Sequence, residues 1–165
     1  MGSTGPAFRR DRWGVAHVRG NELPDLYRGL GNAHARDRGL QMLFMRILGQ
    51  GRVSECLDAG DGSLAIDTFF RKMNWTAGMD VQAARLAPEA GALVDAYCDG
   101  ANAVFARSIP WELKLLGHRP EPWCPADSLL LAQMTGYLTL AQGQAELERL
   151  IVEMVQAGIS REKLE

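Results

Sequence analysis

Residues 29–55 run Gly-Leu-Gly-Asn-Ala-His-Ala-Arg-Asp-Arg-Gly-Leu-Gln-Met-Leu-Phe-Met-Arg-Ile-Leu-Gly-Gln-Gly-Arg-Val-Ser-Glu. Leu40, Leu43, Phe44, Ile47 and Leu48 recur at three- and four-residue steps, the period of a helix with one buried face, while Arg36, Arg38, Gln41 and Arg46 fall mostly off that stripe. A long helix is expected from about Ala33 to Leu48. His34 shares a face with Asp37 and with Arg38 at helical spacing. Together with Gln41 they are read as a hydrogen-bonded knot that pins the helix, since an Arg fork beside a carboxylate is a common structural fastening.

Toward the N-terminus, Phe8 to Arg19 changes character: Trp13 and Val15 alternate with their neighbours and Asp11 to Gly14 supplies turn residues, which predicts a short hairpin or arm over 8–20. A hairpin this short needs something to pack on. The small, polar start, residues 1–7, is expected to be flexible. Asn21 suits an N-cap, Pro24 a first turn and Asp25 the positive end of a helix dipole, with Gly29 and Gly31 expected to close or interrupt that helix.

Toward the C-terminus, the glycines of 49–62 mark a loop, and its Asp-Ala-Gly-Asp-Gly run has neither the length nor the ligand count of an EF-hand. Residues 66–85 are weakly helical. Pro88 opens a clearer core helix through Leu93, Val94, Tyr97, Ala101, Val104 and Phe105. Pro110 to Leu113 is a helical turn, and Pro120, Pro122 and Pro125 imply an extended segment. An apolar helix follows from Ser128 to about Leu140, then a stripe of Leu147, Leu150, Ile151, Met154 and Val155 that Gly158 closes. Ser160 reads as the N-cap of a further helix cut short at Glu165, as expected of a cut or truncated chain.

The 165 residues, 47% apolar, have the length of a single unit with a real core. A net charge of −2 without a basic run argues against nucleic acid, and no apolar stretch is long enough for a membrane span. The N-terminus carries no signal-peptide apolar core, which leaves a cytoplasmic start, or a periplasmic protein whose export signal has been removed. Cys56, Cys98 and Cys124 lack zinc spacing and are expected to be buried free thiols. No hydroxyl residue sits in a nucleophile-elbow context, so no catalytic residue is assigned in this chain.

The stretch 29–38 with Gln41-Met42, Arg46 and Gly51-Arg52, the arm from Arg10 to Val18 and the turn from Leu116 to Trp123 together resemble the penicillin amidase (penicillin acylase) family. The resemblance implies a mainly α chain with a short N-terminal β arm, the small subunit of an N-terminal-nucleophile (Ntn) hydrolase αββα sandwich completed by a larger chain. In that family a precursor cleaves itself, and the new N-terminal Ser of the larger chain attacks the amide of a small N-acyl substrate. The resemblance further implies that the helix after the Glu-Pro-Trp turn overlies the acyl pocket. Met134, Gly136, Tyr137, Leu138 and Leu140 become substrate-binding candidates, with plain core packing as the alternative. Where many members have Trp-Asp-Leu or Asn-Arg-Phe, this chain has Gly136-Tyr137-Leu138, and Gly136 would open a longer pocket. No cofactor is required. A structural calcium occurs in some members, for which Glu146 is either a ligand or a solvated side chain. β-Lactam side chains, acyl-homoserine lactones and acylated peptides are all open as substrates. The rivals are a stand-alone helical binding module and a catalytically dead scaffold.

Overall fold

The computed structural model describes residues 7–160. The chain opens with strands β1 (Ala7–Arg10) and β2 (Ala16–Arg19), antiparallel with Phe8 opposite Val18. The turn follows from its residues. Asp11 accepts the backbone N–H groups of Trp13 and Val15, at 2.9 and 3.0 Å, and Gly14 takes a left-handed φ of +79° that favours glycine. The hairpin leans on the next helix, where Val18 fills the space beside Gly29 and Arg10 pairs with Asp37.

Helix α1 runs from Leu23–Gly49 with a kink at Arg38; Glu22 takes the N-cap position one residue after the expected Asn21, with Pro24 and Asp25 in the first turn as expected. Gly29 and Gly31 lie inside it and do not interrupt it. Their purpose is close approach. A Cβ on Gly31 would meet the Tyr97 carbonyl oxygen at 2.0 Å, and one on Gly100 would meet the Arg28 carbonyl at 1.9 Å. Helix α5 (Pro88–Phe105) therefore crosses α1 backbone to backbone, and the core gathers there: Ala35, Met42 and Leu43 from α1, Cys98 and Ala101 from α5, then Leu113 and Trp123.

Between these helices the expected loop of 49–62 contains a helical turn, α2 (Val53–Cys56), and the weak helix resolves into α3 (Asp61–Met73) and α4 (Met79–Ala84). Asn74 in the left-handed region and Gly78 at φ +80° separate the last two. Asp67, 2% exposed, reaches from α3 to accept the Val53 and Ser54 N–H groups at 2.7 and 2.8 Å and the Ser54 hydroxyl, which fixes α2 in place. After α6 (Trp111–Leu115) the chain is extended to Cys124, and Pro125 opens α7 (Pro125–Gly136) instead of prolonging the extended run, because proline suits a first helical position. A π-helical segment (Tyr137–Ala141) leads into α8 (Gln142–Gln156), and Gly158 at φ +80° ends it. The expected helix over 161–165 lies outside the described residues, as does the expected flexible start apart from Ala7.

The chain divides within α7 into two compact units, one up to Leu131 and one from Ala132, a division absent from the expectation of a single unit. No described helix is long and apolar enough to cross a membrane.

Two outcomes follow for stability. Gly31→Ala or Gly100→Ala forces α1 and α5 apart and lowers stability by about 3 kcal/mol or more in urea unfolding. Gly91→Ala, whose Cβ meets nothing within 4 Å on the same α5, is neutral or stabilising by up to about 1 kcal/mol. For Asp67, burial pushes the carboxyl up, but the hydrogen bonds from Ser54 and Val53 and the nearby Arg71 outweigh it and hold the pKa below its ordinary value. A depressed carboxylate stabilises above its unfolded pKa of about 4 and loses that contribution as pH falls through the folded value. Asp67→Asn is therefore expected to destabilise at neutral pH and to flatten the acid limb of the melting temperature against pH.

Candidate functional site

The extended segment before α7 pairs with no strand among the described residues, so its polar backbone must find side chains. It finds them on three helices. Arg46, at the end of α1, donates to the Glu121 carbonyl at 3.1 Å, to the Pro122 carbonyl at 3.4 Å and to Asp127 Oδ2 at 3.1 Å. Asn102 of α5 grips Trp123 on both sides, accepting its N–H at 2.7 Å and donating to its carbonyl at 2.8 Å. Asp127 reaches back to the Cys124 N–H at 3.0 Å, the returning half of a capping box, and Ser128 accepts the Trp123 indole N–H at 3.0 Å. Arg52 bridges Glu55 and Glu121 at the rim.

Arg46 is 2% exposed, which corrects its placement off the buried stripe. Its burial is tolerable because Asp127, also buried, and two carbonyls satisfy the guanidinium, while its face lies 5.4 Å from the Trp123 ring.

The expected knot around His34 is not formed. The His34 Nδ1 lies 3.0 Å from the Tyr97 hydroxyl, Asp37 pairs with Arg10 of the hairpin, and Arg38 is exposed with non-helical angles, φ −131° and ψ 19°. The kink removes the regular stacking the knot requires, and partners on other elements compete successfully for His34 and Asp37. Burial pushes the Tyr97 phenol up to about 12, so it meets His34 as a neutral hydroxyl. His17 pairs with Asp11 at 2.9 Å. His118 has a buried Nε2 without a hydrogen-bond partner among the described residues, and desolvation lowers its pKa, which favours the neutral ring.

Of the three free thiols, Cys98 is buried as expected and pushed up to about 11 by burial, whereas Cys56 is half-buried and Cys124 exposed, which corrects the expectation of three buried thiols. Cys124 directly precedes α7, with its backbone N–H held by Asp127 and its thiol pushed up by partial burial.

The predicted pocket residues form one continuous stretch. Met134 is fully buried, Gly136 and Tyr137 are half-buried, and Leu138 and Leu140 are exposed at 39% and 73%. A Cβ on Gly136 would meet nothing within 4 Å, and the π-helical segment begins at the next residue. Glu146 is exposed on α8, and among the described residues no group of three carboxylate, imidazole or thiol side chains is arranged to hold a metal. Sequence reasoning missed a separate apolar cleft of about 290 Å³, lined by Tyr27, Leu30 and His34 of α1, Val94 and Tyr97 of α5, Trp123, and Ser128 and Leu131 of α7. The only sequence signal was the helical spacing of Tyr27, Leu30 and His34, which the assumed break at Gly29 concealed.

Comparison with known proteins follows the same outline. The family profile described as penicillin amidase matches residues 8–165. An acyl-homoserine lactone acylase, QuiP, of Pseudomonas aeruginosa is 32% identical over 147 residues, 87% of this chain and 17% of that protein. The penicillin acylase 2 proenzyme of a Pseudomonas sp. (strain SE83) is 36% identical over 132 residues, 79% of this chain and 17% of the relative. This chain thus spans only about a sixth of the length of the curated relatives it matches. Among solved structures, a thermostable penicillin G acylase from Alcaligenes faecalis shares the fold with a TM-score of 0.75 at 24% identity, over 96% of this chain and 86% of that one.

The clamp generates a prediction. Arg46→Met leaves Asp127 buried and unpaired and costs roughly 3–5 kcal/mol in urea unfolding, whereas the double substitution Arg46→Met with Asp127→Leu recovers much of that loss.

Proposed function

The chain belongs to the penicillin amidase family, and from that premise we propose that it is the small subunit of an N-terminal-serine amidase that hydrolyses an N-acylated small molecule. A difference in length carries the proposal. The solved acylase chain that shares this fold is only slightly longer than this one, whereas the curated relatives are about five times as long and one of them is named a proenzyme. A long precursor divided into a short and a long chain accounts for both lengths. The hairpin then joins the larger chain's sheet, and the two chains together complete the αββα sandwich.

The nucleophile belongs to the larger chain. Its N-terminal serine hydroxyl attacks the acyl carbonyl, its own α-amine, with a pKa of about 8, takes the proton, and neighbouring N–H donors hold the oxyanion. This chain contributes the acyl end of the site. Met134, Gly136, Tyr137, Leu138 and Leu140 line an apolar pocket that the larger chain closes. The absent side chain at Gly136 and the π-helical segment after it support this assignment, because π-helical segments recur at functional sites. The pocket therefore accepts an extended acyl chain, as in the side chain of a β-lactam, an acyl-homoserine lactone or an acylated peptide. Glu146 supplies at most one ligand of any structural calcium. Such a site needs six or more oxygens, so the larger chain provides the rest.

The alternative of a stand-alone binding module is weaker. Its core would require the Leu147–Val155 stripe to be buried, and Leu147, Leu150, Ile151 and Val155 are all exposed.

The test is hydrolysis by the protein expressed from its full gene, followed by amine release from N-acyl substrates of graded chain length. Amine release is expected, and Gly136→Trp is expected to lower kcat/KM for long acyl chains at least tenfold while sparing short ones. Unchanged chain-length preference would remove Gly136 from the pocket, and no release from any N-acyl substrate would contradict the amidase assignment.

A further inference from the structure

In and after α6 stand two cations without a counter-ion. Lys114 and Arg119 are exposed and make no ion pair among the described residues, although Arg10, Arg28, Arg46, Arg52 and Arg149 are all paired. Both line one cavity of about 290 Å³ together with Ile109, Gly117 and His118, and none of these lining residues is acidic. Glu121, the carboxylate next along the chain, is engaged by Arg46 and Arg52. Gly117 takes a φ of +70°, the left-handed turn that lets residues on both sides of it border the same space. His118 adds a third polar group, since its Nε2 is buried without a hydrogen-bond partner among the described residues. Buried polar atoms are as a rule satisfied, and an orphan in a native fold points to a water or an ion.

Charge and shape identify the occupant. Lys114, Arg119 and an imidazole offer donors in several directions, which suits the three free oxygens of a phosphate group better than the two of a carboxylate. A nucleic-acid backbone needs a run of cations, which the sequence lacks, so a single phosphate group fits. The space does not end there. Ile109 and Lys114 also line a second cavity of about 510 Å³, bordered by Leu40, Val104, Pro110 and Trp111, whose indole is 69% exposed. Asp37, the carboxylate along it, is paired with Arg10. An apolar cavity of ~150 Å³ holds benzene, so the second cavity has room for a ring beside Trp111.

We propose that these two adjoining cavities bind a small phosphate monoester with an apolar, ring-bearing ester group. The phosphate sits between Lys114 and Arg119 beside His118, and the ester group extends past Ile109 toward Trp111. The inference is independent of the amidase reading, because it uses none of the residues assigned there and requires no hydrolysis.

The test is isothermal titration calorimetry on the full gene product in phosphate-free buffer, with phenyl phosphate and inorganic phosphate as probes. Phenyl phosphate is expected to bind at one site per copy, about tenfold more tightly than inorganic phosphate. Lys114→Ala with Arg119→Ala is expected to weaken both probes about tenfold or more. Trp111→Ala is expected to weaken phenyl phosphate about threefold or more and to leave inorganic phosphate unchanged. The three side chains are exposed, and unchanged melting temperatures without phosphate check that the variants fold. Equal affinity for the two probes overturns the monoester assignment. No binding of either probe, or binding unchanged in the Lys114→Ala, Arg119→Ala variant, overturns the site itself.

Discussion

A guanidinium with almost no contact with water holds the late part of this chain together. Arg46 stands at the end of α1 and joins it to two carbonyls of the extended segment and to Asp127 in the first turn of α7. Burying a charge is costly, and the groups beside the pair are matched as well: Asn102 on Trp123, Asp127 on Cys124, Ser128 on the indole. The result is a proline-rich turn without strand partners that nonetheless has a defined shape. Such a network specifies one arrangement, since each missing partner would leave a buried polar group exposed to its full desolvation cost.

That arrangement depends in turn on the crossing of α1 and α5. Gly31 and Gly100 let the two backbones approach so closely that a methyl group on either would collide with a carbonyl. Asn102 and Tyr97 lie on the same α5 and reach Trp123 and His34, so the close crossing brings the clamp and the apolar cleft within side-chain reach of α1. Small residues at the crossing, an ion pair at one end and a hairpin leaning on Gly29 form a continuous sequence of constraints from the N-terminal arm to the start of α7.

Much of this was legible in the sequence, and the omissions have physical causes. The hairpin turn, the start of α5 at Pro88, the short α6 and the end of α8 at Gly158 follow from local chemistry that tertiary context does not override. The glycines of α1 misled because a glycine that ends a helix and one that admits a neighbouring backbone look alike in one sequence. The charge of Arg46 implies water in the sequence, and the partner that makes its burial possible lies 81 residues away. Nearness in sequence suggests pairing His34 with Asp37, whereas the fold gives each a partner from another element, Tyr97 and Arg10. The π-helical segment at Tyr137 has no periodic signature, and its position beside the proposed pocket could be seen only in the backbone.

On the two-chain reading proposed above, this chain is the smaller part of an enzyme whose nucleophile lies on a larger chain. Intact-mass analysis under denaturing conditions, with N-terminal sequencing of each chain made from the full gene, tests that most directly. The predicted result is this chain together with a several-fold larger one whose first residue is serine. A single uncleaved polypeptide with full amidase activity, or this chain alone, folded and monodisperse, would contradict it.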